Sequence, residues 1–296
     1  MTDPVFLFDP DTDDVPVNGD GLNAGWTITL PASVKRHALG AMRLAEGDGL
    51  SLTDGRGLCV KTTLVDAQAG LVSVERVGPQ PVTRLVLIQA LAKTGHDEAA
   101  IDMATQIGVD EVIPWQANRS IAKWKAGRTD RKWRQVLDAA TEQSRRVWSP
   151  ELAQCVSSKQ VVAICRRACV HGDLVIVLHQ DATMSWSSVE DEVSRLADRC
   201  LADGRPRSIN VVVGPEGGIS EQEVSDFVGA GAQSVVLGSN ILRASTAGPG
   251  GRALAAGRVV AAVEGVGAFR VKPRISSIRN SMEADFHHGQ QGAASI

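Results

Sequence analysis

The chain has 296 residues, 43% of them hydrophobic, which is enough for roughly two domains with buried cores and excludes a wholly disordered chain. The 31 Lys and Arg residues against 34 Asp and Glu residues give a net charge of -3, so any nucleic-acid surface must come from local segregation of charge. No apolar stretch approaches the roughly 18 residues of a spanning helix, and the acidic start lacks the features of a secretion signal, so we expect a cytoplasmic protein with no membrane partner.

Residues 1–80 have the pattern of a small β-rich unit. Turn signals such as Asp54-Gly55 separate short apolar runs, which is typical of a small barrel or sandwich. The predicted strands are 26–30, 50–53, 58–65 and 71–77. One helix is predicted among them, with Ser33 as its N-cap and its end near Arg43. Pro79 and Pro81 then mark a short linker.

Beyond the linker, predicted strands alternate with predicted helices. The strands are apolar runs bounded by turn residues, as expected for the buried strands of a parallel sheet. They comprise Leu85–Leu91, Glu111–Pro114, Leu174–Leu178, Ile209–Val213 and Ser234–Leu237. Apolar residues at helical spacing predict helices at 97–107, 185–202 and 220–230. The sequence therefore predicts an α/β domain, followed at 271–296 by a polar stretch that we expect to be a disordered tail.

Positive charge is concentrated in residues 119–146, which contain nine basic and three acidic side chains. Four tryptophans accompany the charges: Trp115, Trp124, Trp133 and Trp148. This mixture suits attraction of phosphates and stacking on bases. It is equally typical of a solvated helix face whose tryptophans anchor the helix to the core. The sequence alone leaves both interpretations open.

The five cysteines favour reduced thiols over a disulfide framework, because they are odd in number and include no Cys-x-x-Cys pair. Cys165 and Cys169 are one helical turn apart, but no His or Cys pair stands at a spacing that would complete a tetrahedral zinc site. We therefore predict small buried thiols and no bound metal.

The most informative motif is a strand that ends in a glycine-rich turn, residues 211–218. Ser220 and Glu223 then form a capping box that opens the next helix. The motif is neither a Walker loop nor a Gly-x-Gly-x-x-Gly fingerprint, so a dinucleotide site is not indicated. Glycines let main-chain amides approach a ligand closely, although an ordinary turn without a ligand fits the spacing as well.

A second motif repeats this arrangement about 20 residues later, where the strand 234–237 runs into a loop at 238–247. Two neighbouring strands are thus expected to end in glycine-containing loops at the same edge of the sheet. This edge is where α/β folds bind small molecules. The two motifs together predict one pocket.

These two motifs carry a family resemblance. Gly-Pro-Glu-Gly-Gly at 214–218, followed by Leu-Gly-x-x-Ile-Leu-Arg-x-x-Thr-Ala at 237–247, resembles the signature of the RsmE family, the 16S ribosomal RNA uridine-N3 methyltransferases of the SPOUT class. The resemblance covers about residues 25–265. Further blocks in the same order are similar to the family, among them Arg36-His37, Ala92-Lys93, Asn118-Arg119-Ser120 and Glu142-Gln143-Ser144-Arg145-Arg146.

The resemblance implies an α/β fold with a SPOUT-type deep trefoil-knot methyltransferase domain at 81–270, preceded at 1–80 by a small PUA-like β-barrel that binds RNA. It also implies a homodimer. S-adenosylmethionine (SAM) would lie between three loops, held mostly by backbone groups and aliphatic side chains. The implied cofactor-binding residues are Leu178, His179, Gly214, Pro215, Glu216, Gly217, Leu237, Gly238, Ile241 and Leu242.

The implied reaction needs the methyl group placed in line with uridine N3 and the loss of the N3 proton. A cation near the uracil carbonyls would favour the uridine anion, and Arg243 is the first candidate for it, with Arg145 second. Glu216 is the candidate for the base. The implied substrate is 16S rRNA in the assembled 30S subunit, contacted by basic side chains that position phosphates. These are Arg36, His37, Arg43, Lys93, Arg119, Arg145 and Arg146.

The chain departs from the family pattern at several places. Ser245 stands where a glutamate is common, Asn240 where an arginine is frequent, and Gln106 where the family often has glutamate. The run 248–251 (Gly-Pro-Gly-Gly) is expected to interrupt a helix, because glycine and proline are poor helix formers. The rival hypotheses are a non-catalytic RNA-binding or ribosome-assembly protein that retains the fold, and a nucleotide-dependent oxidoreductase, which the missing fingerprint disfavours.

Overall fold

The computed structural model describes residues 3–13, 15, 24–67, 69–78, 82–238 and 245–251. Two β-sheets lie in this part of the chain, one of five strands and one of eight. The predicted linker prolines, the loop 239–244 and the predicted tail lie outside the described residues.

The first sheet is formed by the β-rich unit, with the strand order β1-β3-β4-β5-β2. Its strands are β1 (Val5–Leu7), β2 (Thr27–Thr29), β3 (Gly49–Thr53), β4 (Leu58–Leu64) and β5 (Ala69–Val77). β1 pairs with β3 in parallel, and the other pairs are antiparallel. All four predicted strands are confirmed. The additional strand, β1, has only three residues, too few to show alternation in the sequence.

The helix of this unit begins earlier than the sequence suggested. α1 (Ala32–Lys35) has Pro31 at its N-cap, so the prediction of Ser33 as the cap is wrong. Pro31 has an extended ψ of 147° and a φ of -54°, and this fixed φ suits the position before a helix. The helix continues as a π-helix (Arg36–Ala41), in which the Met42 N–H donates to the His37 carbonyl at 3.0 Å.

The second sheet is entirely parallel, with the order β11-β13-β10-β12-β6-β7-β8 and β9 also paired with β7. Its strands are β6 (Thr83–Ala90), β7 (Glu111–Gln116), β8 (Glu151–Leu152), β9 (Val156–Ser157), β10 (Leu174–Leu178), β11 (Met184–Ser185), β12 (Arg207–Val213) and β13 (Gln233–Val236). All five predicted strands are present, and the prediction of a parallel α/β sheet is confirmed. The three strands that were missed have two residues each.

Helices cover both faces of this sheet. They are α2 (His96–Gln106), α3 (Thr129–Ser144), α4 (Ser158–His171), α5 (Glu190–Asp203) and α6 (Glu221–Gly229), with a 3-10 turn at Trp186–Ser188 and a helical segment at 245–251. Side chains alternate along each strand. On β12, Val211 and Val213 face α2, α3 and the segment 245–251, whereas Val212 faces α4 and α6. The three predicted helices are confirmed.

The tryptophans of the basic segment anchor it to the core. Trp115 and Trp133 are fully buried, and Trp124 meets Trp133 edge-on, with ring centroids 5.5 Å apart. α3 therefore presents Arg131, Lys132 and Arg134 to solvent and Trp133 to the core. Trp115 and Trp133 are not available to stack on a base.

The cysteines are all free thiols, as predicted. Cys59, Cys165 and Cys200 are buried, and burial raises the pKa of Cys165 to about 11, which keeps that thiol protonated. The prediction of burial fails for Cys169, which is exposed. Within the described part of the chain, no group of three metal-ligating side chains is found.

None of the helices in the described ranges is both long enough and apolar enough to span a bilayer.

The first sheet is joined to the larger unit by main-chain hydrogen bonds to the segment that follows α3. The Gly57 N–H donates to the Val147 carbonyl and the Ser149 N–H to the Gly55 carbonyl, each at 2.8 Å. Glu142 of α3 accepts from the Leu7 N–H, also at 2.8 Å. The β-rich unit therefore packs against the carboxyl end of α3 and the segment that follows it.

Glu223 ties three elements together on the side of the sheet where β12 ends. Its side chain is 2% exposed. The predicted capping box is confirmed, since Glu223 accepts from the N–H and the hydroxyl of Ser220 at 3.0 and 2.6 Å. The other carboxylate oxygen accepts from the Asn118 N–H at 2.8 Å and from the Ser158 hydroxyl at 2.6 Å. One carboxylate therefore joins the start of α6, the loop after β7 and the start of α4.

The environment of this carboxylate sets its protonation. Burial raises the pKa of Glu223, but the hydrogen bonds from Ser158, Ser220 and Asn118 together outweigh burial and leave the pKa below its ordinary value of 4.5. A lowered pKa in the folded state means that ionised Glu223 stabilises the fold above the ordinary value. This contribution is lost as the pH falls through the lowered pKa.

We predict that Glu223→Gln destabilises the protein by about 1–3 kcal/mol at neutral pH, because an amide NH2 replaces an acceptor and leaves buried donors without a partner. Urea unfolding monitored by circular dichroism measures the change. The difference from the wild type should shrink as the pH falls from 4.5 through the lowered pKa of Glu223, where the carboxylate of the folded wild type becomes protonated.

Glu221→Gln is the matched control, because Glu221 lies on the same helical turn and is exposed. It should change the free energy of unfolding by no more than about 0.5 kcal/mol. Equal stability of the two variants would show that the Glu223 network does not support the fold.

Candidate functional site

Three strands of the parallel sheet end side by side at one edge. Leu178 at the end of β10 is in register with Val213 of β12 on one side and with Val235 of β13 on the other. The expectation that β12 and β13 are direct neighbours is therefore wrong, because β10 lies between them. All three strands are parallel, so the loops that follow them still meet at the same edge.

A cavity of about 610 Å³ opens at this edge, a volume in the range of small-molecule sites. Loops after β10, β12 and β13 form most of its wall. Eight of the ten sequence-predicted cofactor residues line it: Leu178, His179, Gly214, Pro215, Glu216, Gly217, Leu237 and Gly238. The other two, Ile241 and Leu242, lie outside the described residues.

The turn after β12 requires glycine at its first position, because a side chain on Gly214 does not fit there. A Cβ atom on Gly214 would lie 2.5 Å from Cγ1 of Ile219. Gly218 has a φ of +72°, which favours glycine, and its N–H donates to the Pro215 carbonyl at 2.9 Å. The turn therefore presents peptide groups to the cavity at close range.

Two further loops are attached to this turn. The Lys93 N–H, in the loop after β6, donates to Oε1 of Glu216 at 2.7 Å. Nη1 of Arg119, in the loop after β7, donates to the Gly217 carbonyl at 3.2 Å. The ends of β6 and β7 thus lie beside the cavity, and the Glu223 network holds the Arg119 loop from the other side.

The cavity wall carries charges of both signs. Sequence reasoning missed some of the polar residues on the wall: His96 at the start of α2, Asp181 after β10, and Glu221 at the start of α6. His96 follows the loop after β6, where Thr94 has a φ of 53° and Gly95 a φ of 78°. The only sequence signal for His96 is its place just after a predicted strand.

The three candidates for catalysis have different locations. Glu216 lines the cavity and is exposed. Arg145 has a φ of 57° and ends α3 as its C-cap, and it is not among the residues that line the cavity. Arg243 lies outside the described residues, although Gly238 before it and Ala247 after it both line the cavity.

The predicted RNA-contact residues fall into two groups on the surface. Arg36, His37 and Arg43 are exposed on the β-rich unit, and His37 lies 4.0 Å from Glu142 of α3. Lys93 and Arg119 are exposed beside the cavity. Arg145 is exposed at the carboxyl end of α3.

Arg146, by contrast, is largely buried and binds main-chain carbonyls inside the fold. Its side chain is 15% exposed, and Nη1 donates to the carbonyls of Thr105 and Val109 at 2.9 and 2.6 Å. Nη2 is 3.4 Å from the carboxylate of Asp110. This guanidinium holds the turn between α2 and β7, so we do not retain Arg146 as an RNA contact.

The glycine-rich run 248–251 does not interrupt a helix, since residues 245–251 are helical. A Cβ atom on Gly248 would lie 3.2 Å from Leu87 and 3.4 Å from Val213, and one on Gly251 would lie 3.1 Å from Leu178. The glycines therefore let this segment pack closely on β6, β10 and β12. Poor helix propensity is offset here by close approach to the sheet.

The model of one protein family, described as RNA methyltransferase domain, matches residues 79–253. Curated relatives named ribosomal RNA small subunit methyltransferase E are similar to the chain. Those of Mycobacterium bovis and Mycobacterium tuberculosis are 36% identical over 222 residues, covering 71% of this chain and 79% of theirs. The one from Synechocystis is 29% identical over 228 residues, covering 75% of this chain and 70% of its own.

Solved structures share the fold. A protein from Legionella pneumophila, in complex with SAM, has a TM-score of 0.68 at 20% identity and covers 86% of this chain and 97% of its own. A ribosomal RNA small subunit methyltransferase E from Neisseria gonorrhoeae, bound to SAM, has a TM-score of 0.65 at 23% identity and covers 85% and 96%. These likenesses identify an α/β methyltransferase fold.

The family match extends over more than half of the chain, and the identity to the mycobacterial proteins extends over more than two thirds of it. The chain therefore belongs to the RsmE family of ribosomal RNA methyltransferases.

Proposed function

We propose that this protein is a SAM-dependent methyltransferase that modifies N3 of a specific uridine in the 16S rRNA of the small ribosomal subunit. The observation that carries the proposal is a cavity at the ends of β10, β12 and β13, lined in part by the glycine-rich turn after β12. The cavity lies within the region that matches an RNA methyltransferase domain. The names of the curated relatives and the two SAM-bound structures support the cofactor and the RNA class.

The residues on the cavity wall fit such a cofactor. Aliphatic side chains of Leu178, Val235 and Leu237 offer surfaces for an adenosine, and the turn at 214–218 offers peptide groups for its polar atoms. SAM supplies a methyl group on a positively charged sulfur. The carboxylates of Asp181 and Glu216 on the wall complement that charge. We include Ile241 and Leu242 in the proposed site.

The proposed chemistry requires the N3 proton of uridine to leave. We propose that Arg243 stabilises the uridine anion that forms, because Gly238 and Ala247, which flank it in the chain, both line the cavity. Glu216 is the proposed proton acceptor: one of its carboxylate oxygens is held by the Lys93 N–H, and the residue lies on the wall. Arg145 is left without a catalytic role, since it does not line the cavity.

The β-rich unit is proposed to be a PUA-like platform that brings RNA to the cavity. Its exposed Arg36, His37 and Arg43 suit phosphate contacts, which position an RNA without reading its sequence. The proposed domains are therefore residues 1–80 for RNA binding and 81–270 for SPOUT-type methyl transfer, with a tail at 271–296.

We further propose that the chain is a homodimer with a trefoil knot that encloses the cofactor site, acting in the cytoplasm. Gly238 and Ala247, which precede and follow the loop 239–244 in the chain, both line the cavity, and this supports placing the knot at the cofactor site. Light scattering measures the mass of the particle in solution.

The cavity assignment predicts that Gly238→Val blocks SAM without unfolding the protein. Gly238 lines the cavity, and no described atom lies within 4 Å of a Cβ atom built on it. Added methyl groups would then occupy ligand space. Calorimetric titration with SAM should show at least about a tenfold loss of affinity, or about 1.4 kcal/mol.

Gly229→Val is the matched control, because a Cβ atom on Gly229 also meets no described atom and Gly229 is not among the lining residues. It should bind SAM as the wild type does. Unchanged SAM affinity in Gly238→Val would place the cofactor elsewhere.

For Arg243→Gln we predict a fall in kcat of about 10²–10³-fold with little change in SAM affinity, because the lost cation acts on the reacting base. The variant should regain activity as the pH rises, since uridine then ionises without help. A pH–rate profile under saturating substrate measures this. Arg145→Gln serves as the comparison and should keep the wild-type kcat; the reverse pattern would exchange the two roles.

The substrate assignment predicts N3-methyluridine in small subunits that initially lack the modification, after incubation with the protein and labelled SAM. Mass spectrometry of the digested RNA identifies the product nucleoside. SAM binding without this product would reject the uridine-N3 assignment. RNA binding without any SAM binding would instead favour the non-catalytic RNA-binding or ribosome-assembly protein.

A further inference from the structure

A rigid basic loop stands next to the candidate site. Residues 121–128, which we call the basic ridge, connect β7 to α3 and contain Lys123, Lys125 and Arg128 with no acidic residue. The ridge begins two residues after Arg119, whose guanidinium contacts the turn at 214–218. Because Arg119 lines the cavity, the ridge begins next to the cavity wall.

Side chains alternate between core and solvent in the first part of the ridge. Ile121 is 69% exposed, and Lys123 and Lys125 are exposed. Ala122 and Trp124, between them, are partly buried and pack against the core that contains Trp133. One side of the ridge is thus attached to the protein, and the other presents two ammonium groups and an isoleucine.

Hydrogen bonds hold the ridge in this form. The side-chain amide of Gln116 donates to the Ala122 carbonyl at 3.0 Å and accepts from the Trp124 N–H at 3.1 Å. At the other end, the Lys125 N–H donates to the Thr129 hydroxyl at 3.1 Å, and the Lys125 carbonyl accepts from the N–H groups of Arg128 and Thr129. The main chain of the ridge is therefore ordered before a partner binds, and this lowers the entropy that the backbone loses on binding.

The charges of the ridge are available for a partner. Among the described residues, no carboxylate lies within ion-pairing distance of Lys123, Lys125 or Arg128. The whole chain carries a net charge of -3, so this loop is a local positive surface on an acidic protein. Such a surface suits the backbone of a nucleic acid.

We propose that the basic ridge binds the RNA backbone next to the target nucleotide, with Lys123, Lys125 and Arg128 on phosphates and Ile121 against a sugar or base. The proposal rests on the proposed function, because the RNA must bring its target base to the cavity. A base that reacts at a ring atom has to leave its stack, and the flanking backbone then needs support. The ridge is positioned to supply that support.

The test is the triple variant Lys123→Gln, Lys125→Gln, Arg128→Gln, with binding to unmodified small subunits and to deproteinised 16S rRNA measured at several KCl concentrations without cofactor. Three lost phosphate contacts should make the fall of log affinity with log salt less steep, reducing the magnitude of its slope by about 2. In the methylation assay, KM for the subunit should rise at least about tenfold, with SAM affinity unchanged. Ile121→Ala should weaken binding without changing the slope, because no charge is lost.

The matched control removes three exposed arginines elsewhere: Arg195→Gln, Arg199→Gln, Arg205→Gln. It changes the net charge equally and should leave slope and KM unchanged. Equal effects of the two triple variants, or none from the ridge variant, would overturn the proposal. The proposal would also be overturned if the ridge variant lost binding to intact subunits but kept binding to deproteinised 16S rRNA. That result would indicate an acidic protein surface as the partner. Binding is measured without cofactor, so it does not depend on methyl transfer. A protein that binds RNA through the ridge but transfers no methyl group is therefore distinguished from one whose ridge does not bind RNA.

Discussion

The candidate site depends on the parallel pairing of the second sheet. Because β6, β7, β10, β12 and β13 all run in the same direction, every loop that follows them reaches the same edge. The registers Leu178–Val213 and Leu178–Val235 place three of these strand ends level with one another. An antiparallel strand in any of these positions would send its loop to the opposite edge and leave the cavity without a wall.

Close packing explains why glycine occurs in the turn after β12 and in the segment 245–251. Gly214 lies against Ile219 in the turn after β12, and Gly248 and Gly251 lie against β6, β10 and β12 in the segment 245–251. At each position a methyl group would force a neighbouring side chain to shift: Ile219 at Gly214, Leu87 at Gly248 and Leu178 at Gly251. Gly214 lies in the cavity wall, whereas Gly248 and Gly251, which look like weak points of a helix in the sequence, allow the segment 245–251 to pack closely on the sheet.

Local features of the site could be predicted from the sequence, and features that depend on strand order could not. The turn at 214–218 and the capping box of Ser220 and Glu223 lie within one short window, so their pattern was sufficient. His96 and the Arg119–Gly217 contact arise because β6 lies beside β12 and β7 beside β6, and no local pattern encodes that order. Strands of two or three residues, such as β1, are too short for periodicity to appear. The burial of Arg146 depends on the carbonyls of a distant turn, which is equally invisible in the sequence.

The Glu223 carboxylate has a dynamic consequence as well as a static one. It accepts hydrogen bonds from the loop after β7, the start of α4 and the start of α6, so opening any of these deprives the same buried charge of partners. Segments that share such an anchor tend to open together as one cooperative unit. The Arg119 loop and the start of α6 are therefore expected to exchange their amide hydrogens on a common timescale.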